Sequence, residues 1–306
     1  MRLVDVTLGS LRRSGCAVEP EDAGLWRSLA HEFGADVVED EETDKESAAC
    51  AAKAGVVPVF VKSAANFAPE KMLNSACSRP LRLCGLDDLL LLENRRGLFS
   101  RLRRLGENLP LEMAFGNSLS CATALGVTWL LEGGECLVCS FTGLSSLAAL
   151  EEVIMALRLS GAKQFPGLPR LPVLREFFER LASPLAGQGF PVVPPAKAVA
   201  GRAIFAVESG IHVDGLGKDT ALYEPFSPEV VGVRRRIIPG AHSGAAAIRL
   251  YCESLGLPCE AGWIPDMLSA VRCLSRKLER SLREEEFRFL HKSVCGKERY
   301  ATVACD

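Results

Sequence analysis

The chain has 306 residues, of which 48% are hydrophobic and 24% charged, and its formal net charge is -2. That length buries a large core in one or two domains. The near-neutral balance gives no reason to expect nucleic acid or an acidic membrane as partner, and no apolar run approaches the roughly 18 residues that a spanning helix needs. Twelve cysteines are scattered through apolar segments with no leading secretory signal, which sets the expectation of reduced thiols in a cytoplasmic protein.

In chain order, residues 2–8 are predicted as a buried first strand. A helix over about 19–33 follows, with Glu and Asp in its first turn, where the helix dipole favours them, and Gly34 ends it. Residues 35–39 read as a second strand, 40–46 as an acidic run leading into a helix through 54, and 56–62 as a β-branched third strand. A helix near 69–77 precedes a strand at 81–84. The helix at about 95–105 is basic and amphipathic, and Arg101, Arg103 and Arg104 read as its solvated face. Strands at 109–115 and 135–141 flank a helix at 120–132. This alternation of strand and helix is the pattern of a parallel sheet with helical crossovers, as in a (β/α) barrel.

After a helix at 147–157, the prolines of 166–172 break the pattern; a helix at 173–182 leads to a Pro/Gly-rich linker at 187–195, where the domain boundary is placed. Residues 245–255 read as a helix ended by Gly256, and 265–283 and 284–292 as a closing helical pair. His31, in the last turn of its helix, and His291, on a charged helix, are expected at the surface. Cys136-x-x-Cys139 has redox or metal-ligand spacing, but both cysteines fall in one strand, where residues three apart face opposite ways. With no second such pair in the chain, structural cysteines are expected.

The most informative stretch runs Glu208-Ser209-Gly210-Ile211-His212-Val213-Asp214-Gly215-Leu216, then Tyr223-Glu224-Pro225-Phe226-Ser227-Pro228-Glu229, and closes on Gly240-Ala241-His242-Ser243-Gly244. Glycines on both sides of His212 let the backbone turn tightly and approach a ligand, and an imidazole is the side chain best placed to move a proton near neutral pH. This wording resembles the region just after the catalytic barrel of homocitrate synthases, especially the nitrogen-fixation type, and of the related isopropylmalate synthases. The resemblance is strong from Pro194 on and weak before Pro110.

It implies a family that condenses acetyl-CoA with a 2-oxo acid, using a divalent metal as Lewis acid held by carboxylate and imidazole ligands, with an arginine near the first strand. It also implies that a histidine and a tyrosine of the post-barrel region serve the active site of a neighbouring subunit; His212 and Tyr223 match these positions and are the candidate catalytic pair, acting in trans. The barrel motifs depart from the pattern. Where the family reads Asp-Thr-Thr-Leu-Arg-Asp-Gly-Glu, this chain reads Asp5-Val6-Thr7-Leu8-Gly9-Ser10-Leu11-Arg12. Where His-x-His-Asn-Asp is expected, Ala114 and Gly116 replace the histidines and Asn117 survives. The Asn-Gly-Leu-Gly-Glu-Arg-x-Gly-Asn stretch becomes Cys139-Ser140-Phe141-Thr142-Gly143-Leu144-Ser145-Ser146-Leu147. The four metal-ligand positions thus carry Ser10, Ala114, Gly116 and Leu147, and no metal or other cofactor is expected.

The predicted strands number six against a full barrel's eight, and residues 1–186 replace a domain of about 250 residues. The loss falls between the second strand and Val56. The expected fold is α/β: a shortened or incomplete TIM-like (β/α) barrel related to the pyruvate carboxyltransferase and HMG-CoA-lyase domain over 1–186, a linker and lid over 187–244, and a mostly helical C-terminal subdomain over 245–306. The expected function is that of a homocitrate synthase-like protein (parent reaction: condensation of acetyl-CoA with 2-oxoglutarate) working as a non-catalytic or partner-dependent subunit in a homo- or hetero-oligomer with an intact synthase. Two alternatives stand beside it. One is an active acyltransferase of altered chemistry, with Lys62, Asp87 and Glu112 as acid–base groups. The other is a regulatory module binding acetyl-CoA or a 2-oxo acid in an apolar-lined cavity through Thr7 and Asn117.

Overall fold

The computed structural model describes residues 1–40, 56–69, 80–186 and 192–295; the helices expected up to residue 54 and near 69–77 lie outside them, as does most of the 187–195 stretch. The chain divides into two compact units, Met1–Ile204 and Phe205–Asp306.

The first unit is built on one all-parallel sheet. Its strands are β1 (Arg2–Asp5), β2 (Val37–Val38), β3 (Val57–Val61), β4 (Leu81–Gly85), β5 (Leu111–Phe115), β6 (Cys136–Ser140) and β7 (Ala148–Ala149). They lie in the order β2-β1-β6-β5-β4-β3, with β7 added to the carboxyl end of β6. A (β/α) barrel pairs each strand with its neighbours in sequence and the first with the last. This sheet follows that pattern in part: β1 pairs β2 on one side and β6 on the other, in the register Arg2↔Cys136 to Asp5↔Cys139. Among the described residues the one sequential pair without hydrogen bonds is β2 and β3. The order is consistent with a partial barrel, with the two edges of the described sheet at β2 and β3.

Helices occupy the crossovers for ordinary sequence reasons. Helix α2 (Pro20–Phe33) starts with Pro at its first position and Glu21 and Asp22 in its first turn, all favourable at a helix N-terminus. Gly34 ends it at φ 136°. Its buried Trp26 meets Phe141, Phe177 and Phe178 at centroid distances of 5.8, 6.4 and 6.0 Å, which fixes the helix Leu171–Leu181 against it. The first strand is shorter than predicted. Val6 ends it, and α1 (Thr7–Arg13) follows, because Asp5 Oδ1 accepts the Thr7 N–H at 3.1 Å and turns the chain. The two-residue β7 carries only alanines and gave no strand signal.

The domain break differs from the expected one. Residues 192–204 belong to the first unit, held by Arg175 Nη1 donating to Ala200 O at 3.1 Å and by Lys197 and Arg202, which pair with Glu152 and Glu179. The linker reading of 187–195 missed these side-chain ties. Likewise, the part of the expected lid from 205 to 244 and the expected helical subdomain fall within one unit.

That second unit holds helices Gly210–Lys218, Ala245–Ser254, Ile264–Leu278 and Glu284–Cys295 and a parallel two-stranded ribbon, β8 (Ala206–Val207) with β9 (Arg236–Ile237). Its core gathers Ile248, Cys252, Met267, Val271, Leu282 and Phe287. His291 is buried, contrary to expectation: Nε2 lies 2.7 Å from Pro258 O and Trp263 packs edge-on to the ring. Cys16, Cys121, Cys136, Cys139 and Cys259 are free thiols, whereas Cys273 is disulfide-bonded, so the expectation of reduced thiols does not hold there. No described helix is long and apolar enough to cross a membrane.

Candidate functional site

A cavity of about 1060 Å³ opens at the carboxyl ends of the strands, the face at which barrel enzymes place their chemistry. Val6, Ala114 and Val138 form its apolar floor, with Cys84 and Leu147 packed beside them. Lys62 after β3, Asp87 and Asp88 after β4, Asn117 after β5, and Ser145 and Ser146 before β7 form its polar rim.

Three of the four positions that carry metal ligands in the resembled family, Ala114, Gly116 and Leu147, line this cavity. The fourth, Ser10, is fully buried in α1, and its hydroxyl accepts from Arg13 Nη2 at 3.0 Å. None of the three lining side chains can hold a cation. The space beside Gly116 is filled by Asp87, whose carboxylate a Cβ at 116 would strike. Asp87 in turn accepts from the Ser118 N–H at 3.2 Å and from its hydroxyl. Among the described residues no three His, Cys, Asp or Glu side chains gather into a metal-holding group. The donor set therefore does not fit the family's ion.

Of the two residues proposed for substrate, only Asn117 borders the cavity. Its Oδ1 accepts the Ala122 N–H at 3.0 Å and its own N–H reaches Ser146 O at 2.9 Å, which ties the start of a helix to the loop before β7. Thr7 is fully buried and is no part of the lining. Its hydroxyl bonds Asp5 and accepts the Phe141 N–H at 2.8 Å. Lys62 and Asp87 reach the cavity, as does Arg82 of β4, but Glu112, its register partner on β5, is no part of the lining.

Glu112 joins a buried ionic network that the sequence reading missed. Arg82 Nη2 lies 2.7 Å from Glu39 Oε1, Arg82 Nε donates to Glu112 Oε2 at 2.9 Å, and Arg2 Nη2 reaches Glu112 Oε1 at 2.7 Å. Burial alone would lower the Arg82 pKa, but the two carboxylates outweigh it and raise it. The available signal was a charged residue at the same position of two adjacent strands, paired in register as Arg82↔Glu112.

The loop before β7 holds left-handed backbone at residues other than glycine as well as at Gly143. Thr142 and Ser146 stand where the family motif has glycine, and both adopt left-handed φ, at 59° and 56°. An L-residue there costs roughly 1–2 kcal/mol, partly offset because glycine also loosens the unfolded chain. Thr142→Gly and Ser146→Gly are each expected to stabilise the protein by up to about 1 kcal/mol, read as a higher Tm; an unchanged or lower Tm in both would contradict this.

Beneath this loop Glu151 is fully buried. Its Oε2 accepts the Thr142 N–H at 2.9 Å, and Oε1 lies 3.4 Å from Lys197 Nζ. Burial pushes its carboxyl up from 4.5 to about 7, against the pull of Lys197. The folded state thus holds this proton more tightly than the unfolded chain does. Its contribution to stability is full below about pH 4.5 and is lost as pH rises through about 7. Asp5, pushed up from 3.8 to about 6 by burial, acts in the same sense. In Glu151→Gln the decline of Tm between pH 4.5 and 7 is expected to flatten; an unaltered slope would show that Glu151 does not titrate there.

In the second unit His212 and Tyr223 stack, with centroids 4.2 Å apart and planes at 28°. His212 sits half-buried in the first turn of the helix Gly210–Lys218, and Tyr223 is 41% exposed. The glycines of this stretch have specific reasons. A Cβ at Gly215 would strike the Tyr223 ring, so the bare backbone seats the ring against the helix beside His212. A Cβ at Gly210 would lie 2.7 Å from Gly244 Cα, so the two turns pack backbone to backbone only as glycines. Glu208 clasps the second turn, accepting from the His242 N–H at 2.9 Å and the Ser281 hydroxyl at 2.8 Å.

Comparison with known proteins places these features. Residues 199–278 match the family described as homocitrate synthase post-HMGL domain-like. The chain is 36% identical to homocitrate synthase 1 of Nostoc sp. over 200 residues, 64% of this chain and 50% of that protein. It is 35% identical to 2-isopropylmalate synthase 2 of Caldanaerobacter subterraneus over 193 residues, 62% of this chain and 49% of that one. It is 31% identical to the homocitrate synthase omega subunit of Clostridium pasteurianum over 186 residues, 60% and 51% of the two chains. The matched part spans about half the length of these relatives. The chain is thus similar to the homocitrate and isopropylmalate synthases, and over residues 199–278 it matches the homocitrate synthase post-HMGL domain-like family.

Proposed function

We propose that this protein is a homocitrate synthase-like chain, of the nitrogen-fixation type in its post-barrel wording, that holds no catalytic metal and contributes His212 and Tyr223 to the acetyl-CoA condensation site of an intact synthase subunit. The observation that carries the proposal is the contrast between the two units. The barrel mouth has Ala114, Gly116 and Leu147 at the ligand positions, while the post-barrel unit keeps a stacked, accessible His–Tyr pair built on position-specific glycines. A relative named as a subunit of homocitrate synthase supports a division of this activity between chains. In the complex the partner's barrel would supply metal and 2-oxo acid. The imidazole of His212 would carry a proton to or from the reacting thioester, and the Tyr223 hydroxyl would hold it in place by hydrogen bonding.

Complementation tests this reading. A full-length homocitrate synthase whose own corresponding histidine is replaced by alanine releases little CoA by itself. Mixed with this chain, it is expected to co-elute with it and regain CoA release. Separate elution with no regain would overturn the proposal. A second reading, metabolite sensing, is favoured by the persistence of a cavity of about 1060 Å³ with Lys62 and Asn117 on its rim. Calorimetric titration with acetyl-CoA and with 2-oxoglutarate decides it: saturable binding to the chain alone supports sensing, and no heat with either removes it.

A further inference from the structure

The second unit contains a cavity that the condensation chemistry does not use. It measures about 690 Å³, within the usual range for small-molecule pockets. Val207, Val213, Leu216 and Ile237 form one wall, and Leu250 and Leu255 face it from the helix Ala245–Ser254 and its end. Three arginines and one glutamate border this apolar space, and their pairing is uneven. Arg235 is bound to Glu224 through two bonds of 2.6 and 2.7 Å, and Glu284 accepts from Arg288 at 2.8 Å. Arg236 and Arg283 line the same cavity, and among the described residues neither guanidinium makes an ion pair or a side-chain hydrogen bond. The nearby Glu286 is taken by the Arg280 guanidinium, and Arg283 reaches it only through its backbone N–H, at 2.8 Å.

An apolar chamber with two unpaired guanidiniums at its border is complementary to a molecule with an apolar body and an anionic head. We propose that this cavity binds a small amphipathic carboxylate, with its hydrocarbon part between Leu216 and Leu250 and its carboxylate on Arg236 and Arg283. The site is formed wholly by the second unit, lies apart from the His212–Tyr223 pair in its lining, and does not depend on the subunit proposal above.

Isothermal titration of the full chain with octanoate, octylamine, octanol and octyl phosphate tests it. Saturable octanoate binding is expected, weakened about tenfold in Arg236→Gln and in Arg283→Gln, with no binding of octylamine. Both arginines are exposed, so these variants are expected to fold. Leu216→Trp, which fills the chamber, is expected to abolish binding. Octanol binding as well as octanoate, octanoate binding unchanged in both arginine variants or retained in Leu216→Trp, or no octanoate binding at all would overturn the proposal. Tighter binding of octyl phosphate than of octanoate would overturn the carboxylate assignment in favour of a phosphate head.

Discussion

Replacing His212 by alanine is expected to abolish the rescue of a histidine-deficient synthase, lowering CoA release of the mixed complex by about 100-fold or more. The expectation follows from position and chemistry. His212 stands in the first turn of its helix, half-buried but accessible, with its ring stacked on Tyr223 at 4.2 Å. Loss of the ring removes a proton carrier near neutral pH and leaves the helix backbone unchanged. Tyr223→Phe separates the parts of the pair: the stacked ring stays and only the hydroxyl goes. Its effect is expected to appear in kcat, with the assembly of the mixed complex unchanged. Full rescue by His212→Ala would mean that the partner needs only the bulk of this unit and not its imidazole.

The largest stability effect is expected at Arg82. Its guanidinium is 2% exposed and lies between Glu39 and Glu112. In Arg82→Met Glu39 remains without its cation, and Glu112, only 4% exposed, keeps Arg2 alone, whose side chain is half exposed. Leaving a buried charge unpaired costs about 3–5 kcal/mol, a large share of a domain's usual margin. Urea unfolding should show a shift of that size in the first unit. The double variant Arg82→Met/Glu112→Leu is expected to recover part of the loss, because it removes the buried carboxylate that only the half-exposed Arg2 would still pair. A loss below about 1 kcal/mol in the single variant would show that water reaches the network and screens it.

The network also ties the parallel sheet of the first unit together. In a full barrel, layers of branched apolar side chains fill the interior. Here Arg82 and Glu112 occupy matching places on adjacent strands, with Glu39 beyond β2 and Arg2 on β1 closing the set. Three strands and the segment after β2 are thereby tied by side chains. Arg82 reaches from β4 to the end of β2, across the edge where β2 and β3 make no ladder.

Much of the fold was legible because its strands are short, apolar and spaced by amphipathic helices. The five-residue strands at 57, 111 and 136 fall within the predicted segments, and the one at 81 runs a single residue past its own. Local side-chain chemistry explains the departures. The first strand was read too long because its end is set by the Asp5–Thr7 turn and not by a change in hydrophobicity. His291 was placed outside because its helix is charged, whereas the ring packs on Trp263 and Pro258, more than 25 residues away. The domain break was drawn at prolines and glycines, but Lys197 and Arg202 fasten the following residues to the first unit. In the candidate site, strand-end logic found Lys62, Asp87 and Asn117 and put Glu112 at the wrong end of its strand. Motif comparison identified Ala114, Gly116 and Leu147, and the structure brings these three to one cavity. Glu151 and the Arg82 network escaped notice because their partners are distant in sequence, and burial gives no mark in a list of residues.

The central claim is that the barrel of this chain no longer supports the condensation by itself. The most direct measurement is CoA release from acetyl-CoA by the purified chain alone, with 2-oxoglutarate and excess Mn²⁺. A rate indistinguishable from the protein-free background is the predicted result; steady release well above that background, proportional to the amount of chain, would contradict the account.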